Sequence, residues 1–288
     1  MALSYTMIVI AAACFSTQFI FQQKYQRIEG TSLLCALRFS TVSSLLQILF
    51  LLFTPGEQHF SLPGVGIAAL GALSVVANGF FSVKVFECAD MTLFSIFEML
   101  GGMTPPFVFG LLFFDEHLTV FKLIGFVLIT AAIFIETGRL SAIKGKQLFY
   151  YAGLFLSNGM FGVFSKWNVS LADPLAAKSF MMLCNGWAIL FCCAAMGAIV
   201  VKTKASVIPK QPKNMLITVI PYALISMLGN LLMQLALQKL PASVQYPMST
   251  GGTIVISVIV SALRGEKPDK RGVIAAVIAA LSSVAIAF

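Results

Sequence analysis

The chain has 288 residues, of which 59% are hydrophobic and 10% charged, with a mean hydropathy of +0.94 and a formal charge of +8. Soluble domains carry about 25% charged residues, so a sizeable soluble part is excluded and the composition is that of an integral membrane protein. The basic residues lie in short connections between apolar runs, which excludes a nucleic-acid groove and reads as anchoring at the membrane surface.

Ten apolar segments can be marked off, at 3–22, 31–54, 63–85, 91–114, 118–136, 148–168, 174–201, 213–238, 242–263 and 270–288. A helix needs about 20 such residues to cross a bilayer. Breaks fall on turn residues: Glu29-Gly30, Pro55-Gly56, Asp90, Asp115-Glu116, Gly138, Asp173-Pro174, Pro209 to Pro212, Pro241 and Pro268-Asp269. The expected fold is therefore an all-α integral membrane protein of ten transmembrane helices, with residues 138–147 joining a first unit (1–137) to a second (148–288). The first run lacks a basic leader and reads as span 1, not as a cleaved signal.

Along the chain, polar residues recur at membrane depth. Span 1 holds Gln18 and Gln22, four apart and so on one face. Span 2 holds Arg38 about two turns in, and span 3 holds Asn78. Span 4 carries Glu98, the one acidic residue of eleven that lies well inside a span, near Phe94 and Phe97 and ahead of Gly101-Gly102 and Pro105-Pro106. A charge at that depth costs roughly 2.5–3.5 kcal/mol on insertion scales, so a chain that keeps one generally uses it. Helical spacing puts Ser95, Glu98, Gly102 and Pro105 near one face. The glycines allow a close helix approach, and the prolines are expected to weaken the helix beyond them. Glu98 can pair with a cationic substrate, exchange a proton, or serve as structural glue paired with Arg38 or Lys84.

Further polar positions follow: Asn158 in span 6, Asn185 beside Trp187 in span 7, Asn230 and Gln234 in span 8, and Gln245, Tyr246, Ser249 and Thr250 in span 9. Singly, each is more often an interhelical hydrogen bond worth about 0.6–2 kcal/mol than a ligand contact. Together they suggest a wet or substrate-filled centre. The candidate substrate- and proton-binding set is Glu98, Ser95, Gln18, Asn78, Asn158, Trp187, Asn230 and Tyr246. Phe15, Phe19, Phe94, Phe97, Trp187 and Tyr246 are candidates for a cage around an ammonium group, each cation–π contact adding about 0.5–2 kcal/mol.

No CxxC spacing and no HExxH or His/Asp/Ser arrangement lies in the spans, so neither a metal, a cofactor nor enzyme chemistry is indicated. His59 and His117 fall in turns and read as solvated. Asn168-Val169-Ser170 fits a glycosylation sequon tight against the membrane and is assigned no role.

The two halves correspond. A shift of 150 carries Gly101, Gly102 and Glu116 onto Gly251, Gly252 and Glu266 without a gap. Span 1 (Ser16-Thr17-Gln18-Phe19, then Lys24-Tyr25) matches span 6 (Asn158-Gly159-Met160-Phe161, then Lys166-Trp167), and Asn78 has a counterpart in Asn230. Five spans per half make the second copy enter the membrane from the opposite side, an inverted repeat of the kind found in secondary transporters.

These stretches, TxFxxFxxLGGMxPPFxFGxLFFxExLT closing the first half and LPASxQYPxxxGGTxxxSxxxxxxxxEKP closing the second, resemble the drug/metabolite transporter superfamily, and within it the ten-span EamA-like transporters. The resemblance covers essentially the whole chain. It implies a central cavity among spans 1–4 and 6–9, with spans 5 and 10 peripheral. The chain departs from the pattern in having Phe15-Ser16 and Gln18 where tryptophan-glycine and asparagine are common, and in carrying Glu98 at all, so the resemblance names no substrate.

The connections after spans 1, 3, 5, 7 and 9 hold Lys24, Arg27, Lys84, Arg139, Lys144, Lys146, Lys202, Lys204, Lys210, Lys213, Arg264, Lys267, Lys270 and Arg271, against Lys122, Lys166, Lys178 and Lys239 on the other face. By the positive-inside rule both termini face outward, whereas the resemblance implies both inside; the count is followed here, for a bacterial inner or plasma membrane. The expected function is secondary transport of a small cationic or zwitterionic organic molecule by alternating access, proton-coupled through Glu98. The rivals are an anionic metabolite or nucleotide-sugar exchanger and a non-transporting scaffold. The expected partners are a small-molecule substrate, protons and the lipid bilayer, with no nucleic acid; one chain suffices, and a homodimer is compatible.

Overall fold

The computed structural model describes residues 2–88, 91–137, 145–204, 211–263 and 270–287. Ten α-helices fill them, with no strand among the described residues: α1 Ala2–Glu29, α2 Leu33–Phe53, α3 Leu62–Cys88, α4 Met91–Phe113, α5 Val120–Thr137, α6 Gly145–Val169, α7 Ala177–Thr203, α8 Pro212–Leu237, α9 Ala242–Leu263 and α10 Lys270–Ala287. Eight are long and apolar enough to cross a membrane; α5 and α9 are not among the eight. The protein is an all-helical, multi-pass membrane protein.

Helix ends follow capping more than hydropathy. α1 runs through Lys24 and Arg27 to Glu29, beyond its apolar stretch, and stops where Gly30 takes a left-handed φ of +100°. Ser32 then caps α2, its hydroxyl accepting from the Cys35 N–H at 3.3 Å. α6 begins at Gly145, ahead of the expected 148, and α7 at Ala177, past the expected 174. The prolines of α4 do not break it: the helix continues through Pro105 and Pro106 to Phe113. In a bundle, neighbouring helices re-satisfy backbone groups freed by proline.

Lipid is as apolar as leucine, so helices in it associate through close packing. Small side chains accordingly fill the contacts: Ala11, Ala12, Ala68, Ala132, Ala236, Ala275 and Ala279 are fully buried. Large ones such as Leu45, Leu52, Leu112, Leu190 and Val284 face outward. The largest cluster joins Ile96 and Met103 of α4 to Ile129 and Ile133 of α5, Tyr151 and Leu154 of α6, Ile254 of α9 and Ala275 of α10.

α4 and α6 cross through glycine hollows. A Cβ on Gly101 would lie 2.6 Å from the Phe155 carbonyl oxygen and 2.8 Å from its Cα, while Pro105 and Pro106 seat their rings against Gly159 and Gly162. Because Gly101 meets backbone, which cannot swing aside, Gly101→Ala is expected to destabilise the protein by about 1–3 kcal/mol. A thermal-unfolding series in detergent checks this, with Gly79→Ala, whose Cβ meets nothing within 4 Å, as the control.

α1 packs on α8 and α9, and α6 on α3 and α4; α2 packs on α7 and α8, and α7 on α3; α4 also meets α9, and α5 meets α10. At the end of the bundle where α1 stops, Arg38 donates to the Glu29 carboxylate at 2.9 Å, and Glu29 also accepts from the Gln211 N–H at 2.9 Å. Arg38 is therefore paired with Glu29, not with Glu98. Asp90, Gly138, Arg139, Lys144, Pro209, Lys210, Arg264, Glu266, Lys267, Pro268 and Asp269 lie outside the described residues.

Candidate functional site

The site grows from a helical hairpin. Asn78 and Glu98 lie equally far from Cys88, where α3 ends, so folding α4 back along α3 brings them to one level. There the Asn78 amide donates to Glu98 Oε2 at 3.1 Å. From α6, the Asn158 amide donates to the Glu98 backbone oxygen at 2.6 Å. That carbonyl is open because Gly102, one turn on, has no side chain; a Cβ there would come within 3.1 Å of the Asn158 nitrogen.

Glu98 is half-buried, and its other oxygen, Oε1, has no hydrogen-bond partner among the described residues. Tyr222 of α8 lies within electrostatic reach of the carboxylate. Behind it Phe39 packs on the Tyr222 ring at 4.5 Å between centroids, and Tyr25 on Phe39 at 4.6 Å. The basic groups Arg38, Lys122, Lys166 and Lys178 are each engaged elsewhere, on Glu29, the His117 carbonyl, Glu116 and the Thr54 carbonyl respectively.

Of the residues singled out from sequence, Glu98, Asn78 and Asn158 come together. The Ser95 side chain is outside the description. Gln18 is half-buried in α1, and its Oε1 is buried without a partner. Asn230 turns back on its own helix, donating to the Ser226 carbonyl at 2.9 Å, as Asn185 does to Met181 at 2.8 Å. Gln234 and Gln245 tie helices together through Ser165 and the Met233 carbonyl, both at 2.7 Å.

Of the aromatic candidates with described side chains, Phe94, Phe97 and Tyr246 pack against one core, which Trp187 does not join. Phe94 and Phe97 pack in the α4–α5–α6 core, where Phe97 stacks on Tyr151 at 4.8 Å. Trp187 stacks on Phe191 at 5.8 Å within a second cluster, and Phe15 belongs to a third. Tyr246 donates its hydroxyl to the Gly162 carbonyl at 3.2 Å, bridging α9 to α6. Asn168 of the sequon is buried and exchanges two 3.2 Å bonds with the Leu175 backbone, a role inside the fold.

Two groups escaped the sequence reading. Tyr222 stands two turns before Asn230, with Ser226 between, a polar stripe at i, i+4 and i+8 that would have revealed it. The other is Glu116, which sequence presents only as a repeat marker. Its Oε1 accepts from the Ala242 N–H at 2.7 Å and pairs with Lys166 at 2.9 Å, while Oε2 accepts from the Ser243 N–H at 2.8 Å. Burial by itself would raise its pKa, but the bonds from Ser243 and the Lys166 ammonium together hold it below the ordinary carboxylate value. This knot fastens the end of α4 to α6 and α9. On the same face of the bundle, His59 meets Asp173 at 2.6 Å and its N–H donates to Ser179 at 3.0 Å.

No family model matches the chain, and no curated protein matches it. Among solved structures it is similar to one described only as "Crystal structure of protein", with a TM-score of 0.74 and 15% identity over 99% of this chain and 98% of that one. At that identity the likeness is one of fold.

Proposed function

We propose that the chain is a secondary transporter of a small organic cation, of the drug/metabolite transporter type, built from ten spans in two inverted five-helix repeats. The helix partners support the repeat. Adding five to each helix number exchanges α1–α8 with α6–α3, α1–α9 with α6–α4, and α2–α8 with α7–α3, while α2–α7, α4–α9 and α5–α10 map onto themselves. Alternating access then comes from one repeat rocking against the other around a site between them.

The observation that carries the reading is Glu98: a carboxylate inside the bundle, bonded by the Asn78 amide while Asn158 holds its backbone oxygen, with no cationic side chain upon it among the described residues. A buried charge normally has a partner, and a transported cation or a proton in alternation supplies one. The carboxylate is confined to one repeat, since the equivalent position 150 residues on is Met248. An anion exchanger would need basic side chains aimed inward, and Arg38, Lys166 and Lys178 are engaged elsewhere. In this reading the membrane is a bacterial inner or plasma membrane, the Lys/Arg-rich face is cytoplasmic and both termini are outside. In proteoliposomes a proton gradient is expected to drive the flux of a small organic amine; gradient-independent or absent flux would overturn the proposal.

A further inference from the structure

Resting on the cation site proposed at Glu98, we infer that the cation carries N–H donors, as a protonated primary amine does, and that quaternary ammonium and zwitterionic amino acids are poor ligands. Carboxylate and carbonyl oxygens cannot donate, so Asn78 and Asn158 must each turn their NH₂ group toward Glu98. Each amide is thereby left with its Oδ1 free of any partner among the described residues, and Glu98 Oε1 is free in the same sense. Of these, Asn78 Oδ1 and Glu98 Oε1 stand at the carboxylate itself, and Asn158 Oδ1 stands beside the Glu98 backbone oxygen.

An ammonium head group offers three N–H donors and no acceptor, which matches this set. A trimethylammonium group offers none and leaves every acceptor unpaired. It would instead need a ring of aromatic faces, and among the described candidates Phe97 already stacks on Tyr151 and Trp187 on Phe191, while Trp187 lies in a different cluster from Phe94, Phe97 and Tyr246. A zwitterion would bring a carboxylate to a place where acceptors already face inward, with Arg38, Lys122, Lys166 and Lys178 engaged elsewhere. Sites built to hydrogen-bond a ligand reject analogues that lack the donor far more strongly than sites shaped only by apolar contact.

The test compares three probes of matched chain on the purified full-length protein: n-butylammonium, n-butyltrimethylammonium and norvaline, each titrated against thermal unfolding. The expected result is half-maximal stabilisation by n-butylammonium at a concentration lower by about tenfold or more than for either other probe. Asn78→Leu and Asn158→Leu, made separately so that a misfolded variant does not decide the matter, are expected to narrow that ratio while n-butyltrimethylammonium binding stays unchanged. Equal or tighter binding of n-butyltrimethylammonium or norvaline to the unmodified protein would overturn this inference and leave the cation site standing. Binding of none of the three would overturn the cation site itself, and this inference with it.

Discussion

Glu98→Gln is expected to abolish pH-dependent transport while the protein still inserts and folds. Glutamine keeps the size of the side chain and an oxygen for the Asn78 amide, now 3.1 Å from Glu98 Oε2, so the α3–α4 contact survives. The Asn158 bond goes to the backbone oxygen and does not depend on the side chain. The charge is what disappears. Removing one partner of a desolvated, hydrogen-bonded charge pair costs about 2–5 kcal/mol, which lowers flux at subsaturating substrate by roughly 30- to 5000-fold. The residual flux should no longer respond to pH, because the group that exchanges the proton is gone. Proteoliposome uptake at several external pH values, normalised to the amount of folded protein, measures both effects. Full, pH-dependent flux in the variant would remove Glu98 from the mechanism.

The second large effect concerns stability. Glu116→Ala is expected to destabilise the protein by about 3–5 kcal/mol, the usual cost of breaking a buried pair by deleting one member. The deletion strips acceptors from two backbone N–H groups at the start of α9 and leaves the Lys166 ammonium, 14% exposed, without its carboxylate. Lys166→Met should cost less, since the helix-end bonds of Glu116 remain. The pH dependence has a definite sign. Because the folded-state pKa of Glu116 lies below its unfolded value, its contribution is complete above the unfolded carboxylate value, about 4.3. It is then lost as the pH falls through the lower, folded value. The unmodified protein should therefore lose thermal stability as it is acidified below about pH 4. Glu116→Gln should start less stable at pH 7 and show a shallower acid limb. Parallel acid limbs in the two proteins would remove Glu116 as their cause.

Several features were legible in the chain because they are local. Gly30 sits where α1 ends, at the expected Glu29-Gly30 break, because a left-handed turn is a property of one or two residues. The depth of Glu98 could be counted along its span. Pro105-Pro106 misled, because their effect on α4 depended on the hollows at Gly159 and Gly162 in a helix some fifty residues away. The aromatic residues were ambiguous for a related reason. A phenylalanine in a span packs equally well against lipid, a neighbouring helix or a ligand, and its own sequence context does not choose.

Composition, hydropathy period and turn residues thus determined by themselves that this is a multi-pass helical membrane protein with one acidic side chain at depth. Those signals are sums over neighbouring residues, and the solvent reads them without reference to the rest of the chain. The tertiary structure alone decided who meets whom: Arg38 with Glu29, Glu116 with the start of α9, and Asn158 with the carbonyl of Glu98. Hydrogen bonds and ion pairs act over about 3 Å. A partner is therefore fixed only when two distant helices have been packed to that tolerance.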